Sequence, residues 1–440
     1  MAGPLDGIKV VEFSEIIAGP VSGVLLSDLG ADVIKVEPPW GDPWRGSPTR
    51  VGPAEAKESR GFIAVNRGKR SIRLDLTKPE GVKVVHRLVS QADVVIMNHR
   101  PDVPAKLGID YETLSAIKPD LVFCEITAFG RSGPESAKPG YDIIMQARTG
   151  LMATNGMIDD GVPRVIRGTP PIDFAAGYAV CQGVLAALFH RERTGRGQKI
   201  ETSLLSNALY IQTLPLTYIP SSPSAQSRMV IEDLPAVREA GLPYPDVNAL
   251  YQQDDRSPAY RPYYRTFQTK DWIIAVGCLS EPLRKKMSDA MGLADPRFEP
   301  GYNQQSENAL ESARQIVLKA EGMFREQPAA YWVDLLEAAG VPVTPLKFVE
   351  EMVFDEQAIA NGMIVEHEHP IAGTVRTAGP IFKMSDSPTA ADTSSPMLGE
   401  HTSEVLSEIG YSSSEIETLI ESGAVSGAIN PIFSEGTEVH

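Results

Sequence analysis

The 440-residue chain sets 41 Lys and Arg against 57 Asp and Glu, a formal charge of −16, which argues against general binding to nucleic acid or to an anionic membrane. With 42% hydrophobic and 22% charged residues it reads as a globular protein with room for two or three domains, and no apolar run or N-terminal pattern reads as a membrane span or signal peptide, so the cytoplasm is the expected compartment. Cys124, Cys181 and Cys278 are an odd number, widely spaced and without a CxxC, so they read as reduced core residues and not as a disulfide frame or zinc site.

Ile8 to Phe13 predicts a short strand. Gly19-Pro20 then starts a helix through Leu25, Leu26 and Leu29, stopped by Gly30. Val33 to Val36 is the next strand, and a βαβ unit of this length implies a parallel sheet. The alternation continues with a strand over 71–76, a helix over 79–91, a strand over 93–97, a short helix over 110–117 and a strand over 121–127. That order predicts an α/β, doubly wound fold: a Rossmann-like large domain with a parallel sheet, plus a smaller α+β domain. Two prolines lead into Asp173, a long run of small and apolar residues follows, and Gly195 ends it.

Past about residue 206 the character changes. Pro220-Ser-Ser-Pro-Ser and Leu242-Pro-Tyr-Pro-Asp read as irregular linker within a 218–262 stretch. A second domain is expected from Tyr264, with a strand over 272–276 and helices over 283–291 and 329–339. A hairpin is expected over 364–369 and 373–377. Terminal helices follow over 402–410 and 412–422, with Ser413 or Ser414 as a cap, and a frayed tail from about 427. The expected division is 1–205 for the N-terminal part of the large α/β domain, 206–263 for a linker or insertion, 264–385 for the small domain and return linker, and 386–440 for helices that complete the large domain.

Several residues carry candidate chemistry. Asp173 stands where a helix N-cap would stand, facing free N–H groups and the positive end of the dipole. A carboxylate held there stays ionised and aimed, as a nucleophile must be, although capping alone is the commoner role. Asn66-Arg-Gly-Lys69-Arg70-Ser-Ile-Arg73 holds four cations in seven residues and is the leading anion-binding candidate. Asn98-His99-Arg100-Pro101 follows a parallel strand, where open α/β sheets bind ligands. A dinucleotide site is disfavoured: the first turn, Ser14-Glu-Ile-Ile-Ala-Gly-Pro, has one glycine, and its glutamate would face the pyrophosphate. His367 and His369 share one strand face without a third ligand, so they read as strand surface, and no metal is expected.

The segment Gly168-Thr-Pro-Pro-Ile-Asp-Phe-Ala-Ala-Gly-Tyr, with Arg193-Thr-Gly-Arg-Gly-Gln after the helix, resembles the family III CoA-transferases, a group related to the α-methylacyl-CoA racemases. The resemblance runs from Pro4-Leu-Asp-Gly to Met397-Leu-Gly-Glu-His. It implies a catalytic Asp173, coenzyme A as a co-substrate with no permanently bound cofactor, an acyl-CoA and a carboxylic acid as partners, and an interlocked homodimer. It further implies CoA contacts from Lys69, Arg70, Asn98, His99, Lys106 and Lys138. His99 stands for the family's usual Phe, and Lys106 for its Arg, which keeps charge but loses a bidentate grip. Trp44 would wall the acyl pocket. Ile17 stands where formyl-CoA transferases have Gln, which favours a larger or less polar acyl group. Racemases of this fold place His at the position of Tyr141. Tyrosine, with an ordinary pKa of about 10, is a poor base, so acyl transfer is expected and racemisation is the alternative.

Overall fold

The computed structural model describes residues 2–52, 58–252, 262–303 and 309–427. The tail expected past about 427, and residues 253–261 of the 218–262 stretch, lie outside the described residues. The chain divides into two compact units, one of 1–221, 240–249 and 356–440, the other of 222–239 and 250–355.

In the first unit, β1 (Lys9–Glu12), β2 (Asp32–Glu37), β3 (Lys69–Leu74), β4 (Val94–Met97), β5 (Val122–Thr127) and β6 (Gln198–Ser203) pair in parallel in the order β6-β5-β4-β1-β2-β3. The strand Val425–Ser426 adds antiparallel to β3. Every residue of β4 and β5 is buried, as a parallel sheet covered on both faces requires. Alternate side chains divide between two layers. Val10, Val33, Val94 and Val122 pack with helices α1 (Ala18–Asp28) and α6 (Pro171–Thr194). Val11, Ile34, Ile72, Val95 and Phe123 pack on the other face with α2 (Pro79–Val89), α4 (Tyr111–Ile117) and the helices Thr402–Glu408 and Ser413–Glu421. Each fully buried valine contributes roughly 1.5–3 kcal/mol. The short helix α3 (Val103–Leu107) follows β4, α5 (Asp142–Arg148) precedes α6, and α7 (Leu204–Tyr210) follows β6.

The strand order reverses between β1 and β4. The chain leaves these two strands toward opposite sides, and a crevice opens beyond their carboxyl ends. One close approach sets its shape: a Cβ on Gly177 of α6 would lie 2.6 Å from Val21 Cγ1 and 3.0 Å from Ala18 O. Glycine there lets α6 press against α1, so the first turns of the two helices meet at the crevice.

Several expectations need correction. Helix α6 is long and apolar enough to cross a membrane by length and composition alone, against the reading that no run approaches a span. Here it packs on α1, β5 and β6, with Val180, Val184 and Leu188 in the core. The 218–262 stretch is not simply irregular: Ala225–Arg228, Met229–Asp233 and Leu234–Glu239 form a continuous helical run, and Tyr244–Tyr251 is helical. Ser412, not Ser413 or Ser414, caps the last helix, in a capping box with Glu415. His367 and His369 are buried, not surface, on the hairpin Ile364–His369 and Gly373–Ala378. The three cysteines are free and buried.

The second unit contains the antiparallel sheet β7 (Tyr264–Gln268), β8 (Ile273–Gly277) and β9 (Val343–Pro345), in that order. Helices α8 (Glu281–Met291), α9 (Ala309–Glu326) and α10 (Ala329–Ala338) cover one face through Met287, Phe324, Trp332 and Leu336.

Candidate active site

A cavity of about 330 Å³ occupies the crevice in the first unit. Its wall is built from Glu15, Ile16, Ile17 and Ala18 after β1, Asn98 to Pro101 and Val103 after β4, and Ile126 to Ala128 at the end of β5. Lys138, Pro139, Gly140 and Tyr141 ahead of α5, Asp173 on α6, and Leu204 complete it.

Asp173 is half-buried in the first turn of α6 but is not the cap. The helix begins at Pro171, and Asp142 supplies the capping carboxylate from outside. Its Oδ2 accepts from the N–H of Ile172 at 2.8 Å and of Asp173 at 3.2 Å. Its Oδ1 accepts from Gln146, whose amide also accepts from the N–H of Ile166 ahead of the helix. Asp142 is buried. Burial, and then the neighbouring Asp142 carboxylate, push the Asp173 carboxyl up to about 7. The sequence had implied a carboxyl stabilised as an anion by free N–H donors. Those donors are spent on Asp142, so Asp173 is a more basic carboxylate. That suits attack on a carbonyl.

The loop between β1 and α1 is held from two sides. Ile16 has φ 69°, a left-handed conformation that a β-branched residue adopts only under constraint. Its N–H donates to the Asp42 carboxylate at 3.2 and 3.3 Å. The Asn98 side chain accepts from the Glu15 N–H at 2.9 Å and donates to the Glu15 carbonyl at 2.8 Å. Beneath the loop the Lys35 ammonium donates to the Ser14 carbonyl at 2.6 Å and pairs with Glu12 at 3.1 Å and Asp42 at 2.9 Å. Burial would lower the Lys35 ammonium, but Asp42 and Glu12 outweigh it and hold the pKa above the ordinary lysine range. The N–H groups of Ile17 and Ala18, at the start of α1, have no acceptor among the described residues.

The structure brings Ile17, Asn98, His99, Lys138, Tyr141 and Asp173 onto one wall. His99 is neutral there, since burial, with Lys35 adding, lowers it to about 4. Lys138 faces Glu135 at 2.8 Å, and Arg100 faces Asp102 at 3.7 Å. Four other expected residues stand elsewhere. Trp44 packs behind the loop with Ile16, Ile17, Val21, Val65 and Phe174. Lys106 is exposed and paired with Asp102 at 2.7 Å. Lys69 is fully buried against Glu12 at 2.8 Å, and burial lowers its ammonium to about 8. Arg70 pairs with Asp32, Glu404 and Glu408. A run of cations shows its charge in the sequence, but not the acids that fold onto it. Asp142, Glu15 and Ile16 were missed. The one available signal for Asp142 was an acid directly after Tyr141 at the head of an apolar helical segment.

A family model described as CoA-transferase family III matches residues 5–402. The succinyl-CoA:glutarate CoA-transferase of Mus musculus is 29% identical over 431 residues, covering 96% of this chain and 90% of that protein. The acetyl-CoA:oxalate CoA-transferase of Acetobacter aceti is 34% identical over 371 residues, 83% of this chain and 86% of that protein. The crystal structure of a CaiB/BaiF family protein from Brucella suis superposes with a TM-score of 0.70 at 29% identity, covering 93% of this chain and 100% of that one.

Proposed function

This chain belongs to CoA-transferase family III, and we propose that it moves CoA from an acyl-CoA thioester to a carboxylic acid through covalent intermediates on Asp173. The observation that carries the proposal is a half-buried carboxyl on the cavity wall whose basicity is raised by burial and by Asp142.

In the first step an Asp173 oxygen attacks the thioester carbonyl. The carbon–sulfur bond breaks, CoA thiolate leaves, and a mixed acyl–aspartyl anhydride forms. The thiolate then attacks the aspartyl carbon and expels the donor acid as its carboxylate, leaving an aspartyl–CoA thioester. The acceptor carboxylate attacks this thioester, releases the thiolate again and forms a second anhydride. Finally the thiolate attacks the acceptor's carbonyl, giving the new acyl-CoA and restoring the Asp173 carboxylate. Bonds made and broken balance, so no ATP is needed. Exclusion of water from the cavity protects the anhydrides. We assign the unengaged N–H groups of Ile17 and Ala18 to the developing oxyanion.

For CoA itself, Asn98, His99 and Lys138 on the wall, with Arg100 beside them and Lys106 further along, are the proposed contacts. Lys69 is buried against Glu12 and Arg70 is mostly buried against Asp32, whereas Arg100, Lys106 and Lys138 are exposed and pair only at the surface, which leaves the phosphates to these three. The resemblance further supports a homodimer, checked by a solution mass twice that of one chain. The relatives named for glutarate and oxalate take acids with two carboxylates.

The Asp173→Asn variant should lose at least about 10³-fold in transfer while binding CoA with unchanged affinity. Turnover within tenfold of the parent protein overturns the assignment of the nucleophile.

A further inference from the structure

We propose that Glu15 selects the substrate's tail, admitting acids whose chain is uncharged or cationic and rejecting those with a second carboxylate; this rests on the transfer reaction proposed above. The cavity wall carries two carboxyl side chains, Asp173 and Glu15. The first is used by the chemistry. The second has no hydrogen bond or ion pair for its carboxylate among the described residues. Its backbone is held in place, because Asn98 grips its N–H and carbonyl, and the next residue is held by Asp42. The nearby Lys35 ammonium cannot neutralise it, being already engaged by Glu12, Asp42 and the Ser14 carbonyl.

A different set of acids surrounds each carboxyl. Burial and Asp142 act on Asp173. Burial, then Asp42, with Glu37 adding and Lys35 opposing, raises Glu15 to about 7. The two come from different elements, Glu15 from the loop after β1 with the apolar Ile16 and Ile17 next to it, and Asp173 from the first turn of α6. An acyl group held at Asp173 runs along that wall. A carboxylate at its far end meets a second negative charge in a partly desolvated space, a repulsion worth ten- to hundredfold in affinity at separations of about 5 Å.

The test uses exchange of isotope-labelled acid into its own CoA thioester, which needs no unknown partner substrate. Chains of equal length are compared: butanoate with succinate, and pentanoate with glutarate. The expected result is a kcat/KM at least about tenfold higher for the monocarboxylate of each pair, and a ratio that falls about tenfold in Glu15→Gln. In the parent protein the ratio should also widen from pH 6 to pH 8 as Glu15 gains its charge, since the Asp173 titration is common to both members and divides out. The other titratable groups around Glu15 are Lys35, Asp42, Glu37, His99, Arg100 and Lys138. Of these, His99 is neutral over that range, Glu37 is held down at about 2, and Lys35 stays charged. Equal exchange of both members in the parent protein overturns the inference, as does a ratio independent of both pH and Glu15. The pH arm needs no variant. Absence of exchange with every pair overturns the transfer reaction itself, and this inference with it.

Discussion

Asp142 decides how Asp173 behaves. By capping α6 from outside, it removes the donors that would have stabilised the Asp173 anion and adds a like charge beside it. The sign of the consequence is fixed. A nucleophile that must be ionised, with a pKa near 7, gives a kcat/KM that rises with pH through about 7. Asp142→Asn keeps an acceptor for the helix N–H groups but removes the charge. The rising limb should move to lower pH and the plateau should fall several-fold, because a less basic carboxylate is a weaker nucleophile. A limb that stays in place under Asp142→Asn shows that Asp142 does not tune Asp173. At this scale the sequence was half legible. Pro-Pro-Ile-Asp before an apolar run marks Asp173 from local residues alone. Its cap comes from 31 residues earlier, and no local pattern predicts that pairing.

Among elements, β1, β2, β4 and β5 were legible because valine-rich runs bounded by turn residues have few other folds open to them, whereas β6, with the sequence QKIETS, has no such run and was not expected. In the basic run at β3 the sequence shows the cations but not the acids that engage them. Lys69 lies beside Glu12 of β1 and under α1, where it donates to the Pro20 carbonyl at 2.9 Å, so its charge is internal. Lys69→Met should therefore cost roughly 1.5–3 kcal/mol in urea denaturation, because the buried Glu12 loses one of its two cations and keeps only Lys35 at 3.1 Å, and leave CoA affinity of the folded protein within about twofold. Retained stability with a tenfold loss of CoA affinity would place Lys69 on the ligand instead. The loop after β1 is an element whose shape is imposed from outside. Ile16 holds its left-handed conformation because Asp42 and Asn98 take its neighbours' and its own backbone groups. Those partners come from after β2 and β4, so a strained isoleucine is invisible in the sequence.

Across the whole molecule, the candidate site lies within one of two units, and the chain passes repeatedly between them in sequence. Within the first unit, the reversal of strand order at β1 and β4 fixes where a ligand crevice can open, and six of the residues expected from the sequence converge there. The central claim is that one side-chain oxygen on that wall becomes bonded to the group being transferred. The direct test incubates the protein with an acyl-CoA that it turns over, quenches with hydroxylamine and maps the product by peptide mass spectrometry. An aspartyl hydroxamate confined to Asp173, and dependent on the acyl-CoA, is the result predicted here; sustained turnover with Asp173 unlabelled, or with the label on another carboxyl, contradicts it.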